Sequence, residues 1–230
     1  MSFVERQRSN HCTDDINLEL NAVQMQNAAM TKTRTNYHHG DLKDALVRAA
    51  DAIIREHGIE GFSLREAARR AGVSPGAPAH HFGTIKGLLT EVALLGYATL
   101  GSYLSREPAT GEPDKDLANL SQAYVQFALD HPGQFRLMFR NDLVNREDPR
   151  YRAISSNALQ PFAAAATAFQ SAATDGLDQP VRIFALWSAI HGMAHLVLEE
   201  KVNGLFGVTN SQELARIHLP GILRKIWSNV

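Results

Sequence analysis

Residues Phe62–Leu89 read FSLREAARRAGVSPGAPAHHFGTIKGLL, and their spacing implies two short helices, a tight turn, and the start of a third helix. Ser63 stands three residues before Glu66, a capping box whose side chains satisfy the orphan N–H groups of a helix start. Leu64, Ala67, Ala68 and Ala71 recur at helical spacing and form one small apolar face. Gly72 can adopt the left-handed conformation that ends such a helix. Ser74 and Pro75 then supply an N-cap and a first-turn proline for the next one. Helix, glycine turn and short helix make a helix-turn-helix, whose second helix is slim enough for the major groove of DNA. Small residues on the first helix let the two cross closely.

Working outward, a helix from near Asp41 to Gly58 buries the stripe Leu42, Leu46, Ala49 and Ile53. Thr84 caps a further apolar helix, Leu88 to about Tyr103. Pro108–Pro113 is a linker rich in Gly and Pro. Beyond it only helices are expected: Asp114–Asp130, Pro132–Phe139, one opened by Asp148-Pro149 and ending in PFAAAATAF, one from Asp178 and Pro180 to about Lys201, and one capped by Asn210 with Glu213 and ending near Trp227. No strand alternation and no repeat interrupts them, so the fold is expected to be all-α: an N-terminal three-helix helix-turn-helix domain followed by a second helical domain.

Residues 37–97 resemble the DNA-binding domain of TetR-family transcriptional regulators, through HHGDLKDALVRAADAIIREHGIEGFSLREAARRAGVS, then HHF, then the Leu88-Leu89 pair. HPGQFRLMF (131–139) and WSAIHG (187–192) resemble the C-terminal domain of one subgroup, named for its Trp, His and Gly. The resemblance implies a helix-turn-helix at about 62–81, a ligand-binding and dimerisation domain over 114–230, and usually repression. It also implies that effector binding shifts the helix starting at Thr84. Where many members carry Tyr and Lys as phosphate contacts, this chain has Ala79 and Ile85; the nearby lysine is Lys86.

The expected DNA contacts are Arg65, Ser74, Pro75, Gly76, Ala77, His80, His81, Thr84 and Lys86. Arg65 and Lys86 are read as phosphate contacts. Ser74, His80 and the amides at the start of the second helix can also meet phosphate. Gly76 and Ala77 permit close approach, and Ala77 can touch a thymine methyl. His81 is either a contact or a packing residue, and Phe82 belongs to the core. With few long polar side chains here, shape and water should carry much of the readout.

The chain has 230 residues, 44% hydrophobic and 20% charged, and a net charge of −1. That length supports a substantial core, and the balance gives no global basic signal, so DNA binding must rest on local charge. Between Met30 and Tyr97 there are nine Lys and Arg against seven acids, a mild local excess. The polar segment 1–36 reads as a disordered tail, with Met30 as an alternative start, and Lys32 and Arg34 offer a basic arm for a minor groove. The lone Cys12 fits a reducing cytoplasm. MSFVERQRSNHC has no apolar core of a signal peptide. The most apolar stretch, Val181–Leu198, is broken by Arg182, Ser188, His191 and His195, against a membrane span.

One helix-turn-helix offers too little surface for tight specific binding, so a homodimer is expected, its half-sites on the order of 34–36 Å apart. Helix 180–201 is apolar nearly all round, through Val181, Phe184, Ala185, Trp187, Ile190, Met193, Ala194, Val197 and Leu198, and needs cover on both sides. With helix 210–227 (Leu214, Ile217, Leu219, Ile222, Ile226) it suits a four-helix dimer interface; burial within one chain is the alternative. Phe135, Met138, Phe139, Phe162, Phe169, Trp187, His191 and His195 are the candidates for a pocket taking a small apolar or aromatic effector, though such residues also build cores. No cofactor, metal or catalytic residue is expected, and an enzyme is not. The rival readings are a metal-dependent hydrolase using His191 and His195 with Glu199, which share one helix face but lack the interior Glu of H-E-x-x-H proteases, and an interaction protein that does not bind DNA. No nucleophile elbow, P-loop or dinucleotide fingerprint occurs.

Overall fold

The computed structural model describes residues 39–171 and 179–227. The expected tail, its Lys32/Arg34 arm, Cys12 and the helix start at Asp178 lie outside these. The chain divides into two units, 1–44 and 45–230; of the first, only the opening of helix α1 is described.

The described residues form helices alone, and no strand occurs among them. They are α1 (His39–His57), α2 (Leu64–Arg70), α3 (Ala77–Phe82), α4 (Ile85–Leu104), α5 (Pro113–Asp130), α6 (Pro132–Met138), α7 (Pro149–Ser171), α8 (Gln179–Leu198), α9 (Asn203–Phe206), α10 (Ser211–Ile217) and α11 (Leu219–Trp227). None is long and apolar enough to cross a membrane.

Local chemistry sets most boundaries. Gly58, at φ 72°, closes α1 with its N–H on the carbonyl of Ile54. The α1 stripe is buried as expected at Leu46, Ala49 and Ile53, and extends to Ala50 and Ile54. Thr84 caps α4 by accepting from the Gly87 N–H at 3.2 Å, and Asn210 caps α10 by accepting from the Glu213 N–H at 2.9 Å. The Asp148 carboxylate accepts from the Arg150 N–H at the start of α7.

Two boundaries differ from expectation. The single helix expected over 210–227 is broken at His218 into α10 and α11. Pro220 supplies no N–H and its ring crowds the preceding turn, so it fits only a helix's first turn. The helix expected to reach Lys201 stops at Leu198, and the short α9 follows.

Helix α4 organises the interior. It runs unbroken through Tyr97 and packs along α7, α6, α5 and α3. Its residues Leu88, Leu89, Val92, Ala93, Leu100 and Leu104 join one buried apolar cluster extending from Leu46 to Trp227. Helix α5 supplies the largest inner side chains, Tyr124 and Phe127, beside Phe135 of α6. Helices α8, α10 and α11 close the other side of α5.

Candidate nucleic-acid interface

Helix α2 begins on Ser63, whose hydroxyl accepts from the Glu66 N–H at 3.4 Å. Only this half of the expected capping box forms. The Glu66 carboxylate turns away, accepting two bonds from Arg69 at 2.7 Å and one from Arg70 at 2.9 Å. Two guanidinium groups offer charged donors at i+3 and i+4, a stronger attraction than one backbone amide. They hold the carboxyl of Glu66 down to about 2. Arg70 also reaches Glu56 at 2.8 Å.

Ala67 and Ala68, on the small apolar face of α2, are fully buried. Gly72 takes φ 70°, a left-handed conformation that costs a residue with a Cβ roughly 1–2 kcal/mol. Sequence spacing places the recognition-helix start at Ser74-Pro75; the structure corrects it to Gly76, with Pro78 in the first turn. Ser74–Ala77 form a separate turn closed by the Ala77 N–H on the Ser74 carbonyl at 3.0 Å. Both prolines satisfy the first-turn rule. Burial separates them: Pro78 is buried and Pro75 is exposed. The amide of Ala77 is thereby engaged and residue 78 has none, which removes two of the donors expected at this end.

Arg65, Ser74, Pro75, Gly76, His80 and Thr84 are exposed, and Ala77, His81 and Lys86 are half-buried. His81 stacks edge-on against both His80 and Phe82, so it packs as well as facing outward. Arg65, Arg69, Ser63, Val73 and Pro75 line a concavity of 520 Å³ beside the turn. Of the three α2 arginines, Arg69 and Arg70 are matched by Glu66 and Glu56. Arg65 makes no ion pair among the described residues and points to solvent. Lys86 Nζ lies 3.4 Å from the Asn141 carbonyl in the α6–α7 connection, an anchor that no sequence signal announces.

The second group of candidates gathers on α6 and α8. His191 Nδ1 shares a 2.9 Å hydrogen bond with the Tyr124 hydroxyl. Its ring lies 4.4 Å from Phe139, 4.8 Å from His195, 5.4 Å from Phe135 and 5.5 Å from Trp187. Burial, and secondarily His195, pulls the pKa of His191 down to about 4, so the imidazole is neutral near pH 7. Met138 lies beneath this cluster against Gly96 of α4. Phe162 is buried on the far side of Trp187, where Leu159, Phe162, Ile183, Phe184 and Trp187 line an open apolar groove of 590 Å³. Phe169 is elsewhere: its ring packs on Trp227, 6.4 Å away. Tyr124 and Tyr151 are cluster residues that helical spacing did not single out, since a core tyrosine gives no distinct signal.

The His191–His195–Glu199 set does not assemble as metal ligands. Glu199 is held by Arg136 at 2.6 Å and His191 by Tyr124, and no group of three metal-binding side chains occurs among the described residues.

A three-helix reading head continuous with an all-helical body defines the scaffold of a helix-turn-helix regulator. Residues 46–92 match the model of bacterial regulatory proteins of the tetR family, and residues 117–219 that of the tetracyclin repressor-like C-terminal domain. The chain belongs to the TetR family. YobS of Bacillus subtilis (strain 168), described as an uncharacterized HTH-type transcriptional regulator, is 25% identical over 114 residues, which are 50% of this chain. The match spans 58% of that relative's length. Among solved structures, a protein of unknown function from Rhodococcus sp. RHA1 shares 28% identity with a TM-score of 0.65, over 85% of this chain and 98% of that one. PfmR, a TetR family transcriptional regulator of Thermus thermophilus, shares the fold at 21% identity and TM-score 0.54, over 78% and 94% of the two chains. So does a substituted TetR of Acinetobacter baumannii, solved in complex with minocycline, at 18% identity and TM-score 0.54 over 80% and 92%.

Proposed function

We propose that this protein binds double-stranded operator DNA as a homodimer and is a cytoplasmic repressor released by a small apolar or aromatic effector. The observation that carries the DNA reading is the exposed α2–α3 surface, where Arg65, with no ion pair among the described residues, is exposed along with Ser74, Gly76 and His80. Acidic neighbours neutralise the other two α2 arginines, so Arg65 is the α2 arginine left without an ion pair among the described residues and able to meet a phosphate. Lys86 joins it by leaving the Asn141 carbonyl. Small residues at Gly76, Ala77 and Ala79 leave few side chains for base edges, which favours readout of DNA shape.

The dimer reading draws support from α8. Val181, Phe184, Ala185, Ser188, Ala189, Gly192 and Leu196 form an exposed, uncharged face, while Ile190, Ala194 and Val197 are buried within the chain. Ile217 of α10 is also exposed. The effector reading draws on the Trp187–His191–Phe139 cluster, where segments 131–139 and 187–192 pack together.

Electrophoretic mobility shift with a duplex from the region upstream of the protein's own gene tests the DNA reading. Arg65→Ala with Lys86→Ala should weaken binding to operator and to random duplex alike, and reduce the salt slope by about two. A loss confined to the operator would show that these residues read bases instead.

A further inference from the structure

Helix α6 is seven residues long, and its consecutive residues touch different parts of the molecule. Gly133 lies against the Ile54 carbonyl of α1 so closely that a Cβ would stand 2.7 Å from that oxygen. Gln134 Nε2 donates to Asp51 Oδ1 of α1 at 2.6 Å, with both residues buried. The Phe135 ring packs at a tilt against His191 and His195 of α8. Met138 sits against Gly96 of α4, and its carbonyl accepts the Tyr151 hydroxyl of α7 at 2.7 Å. One rigid element thus joins the aromatic cluster to the first helix of the reading head.

We propose that the Asp51–Gln134 hydrogen bond is a latch through which the state of the Phe135–Phe139–His191 cluster sets the position of α1. The inference rests on reading that cluster as the effector side. Three features suit a latch. A buried bond to a carboxylate is stronger and more directional than a neutral one. Arg55 also holds Asp51, so releasing Gln134 leaves the carboxylate paired, and the open state carries no orphan charge. The second amide atom, Gln134 Oε1, is buried without a hydrogen-bond partner among the described residues, so one polar contact ties this side chain. Because Phe135 follows Gln134 directly, a shift of α6 that repacks the ring must also move the amide.

Amide hydrogen exchange on the full chain without DNA tests this. Phe139→Ala perturbs the cluster without touching the latch and should speed exchange of the amides of residues 50–57 about fivefold or more. In a Gln134→Met background, shown to be folded by circular dichroism, the same perturbation should leave α1 exchange unchanged. Asp51→Asn combined with Gln134→Glu puts the donor at 51 and the acceptor at 134, remaking the bond in reverse, and should restore the response. Should Gln134→Met not fold, the swapped pair decides alone. An α1 that responds equally with and without Gln134, that never responds to Phe139→Ala, or that stays silent in the swapped pair overturns the latch. The readout needs no DNA, so failure of the protein to bind its upstream duplex would sink the operator reading and leave this result standing.

Discussion

Gly133→Ala adds one methyl group where α6 crosses α1. The new Cβ would lie 2.7 Å from both Ile54 Cγ2 and the Ile54 carbonyl oxygen, and 3.1 Å from the carbonyl carbon. The side-chain methyl can rotate away; the carbonyl cannot, because it accepts the Gly58 N–H at 2.9 Å where α1 ends. Overpacking of this kind costs about 1–3 kcal/mol. Alanine's helix propensity returns at most ~1 kcal/mol, and less in a first turn. The net loss is about 1–2 kcal/mol, or a fall in Tm of roughly 3–6 °C for a domain of this size. Thermal unfolding followed by circular dichroism measures it. Gly204→Ala, with nothing within 4 Å of its Cβ, makes the same chemical change in open space and should stay within about 0.5 kcal/mol of the parent. A Gly133→Ala variant as stable as Gly204→Ala would refute the close α1–α6 crossing and weaken the coupling argument built on it.

Ser63→Ala removes the α2 cap; the long 3.4 Å bond places the loss near the low end of the range, about 0.5–1 kcal/mol by chemical denaturation. Because the folded pKa of His191 lies below its unfolded value of about 6.5, its contribution to stability is complete above that pH and declines as pH falls toward about 4. Glu66 and Asp142, held to about 2 by arginines, lose their contribution only below the ordinary carboxylate range, so the window from about pH 6.5 to 5 isolates the histidine. His191→Gln should flatten the unfolding midpoint across that window, and an unchanged pH profile would contradict the assignment. Phe184→Glu with Leu196→Glu puts charge on the exposed α8 face and should weaken self-association at least about thirtyfold in sedimentation velocity; an unaltered oligomer would place the interface elsewhere.

Features settled by neighbours in the chain could be read from the letters alone. Periodic apolar residues mark α1, α4 and α5. The pairing of Ser63, Thr84 and Asn210 with the residues three places on marks three helix starts, and Gly72 marks the turn between α2 and α3. Arg69 and Arg70 stand at helical spacing from Glu66, a local pairing that the capping-box reading of that carboxylate passed over, and Arg70 also reaches Glu56 on α1. The start of α3 was not legible, since Pro75 and Pro78 obey one rule equally well and only burial separates them. Nor did spacing divide the phenylalanines, for Phe135 and Phe169 carry the same side chain into different neighbourhoods.

Local spacing therefore specified the helix-turn-helix apart from the start of α3, because caps, turns and helix faces are governed by interactions within four residues. Packing assigned what lies far apart in the chain: Lys86 to Asn141, His191 to Tyr124, and above all Asp51 to Gln134, 83 positions away. A buried polar pair of that kind leaves no periodic trace. It forms only when two helices are pressed together closely enough to exclude water.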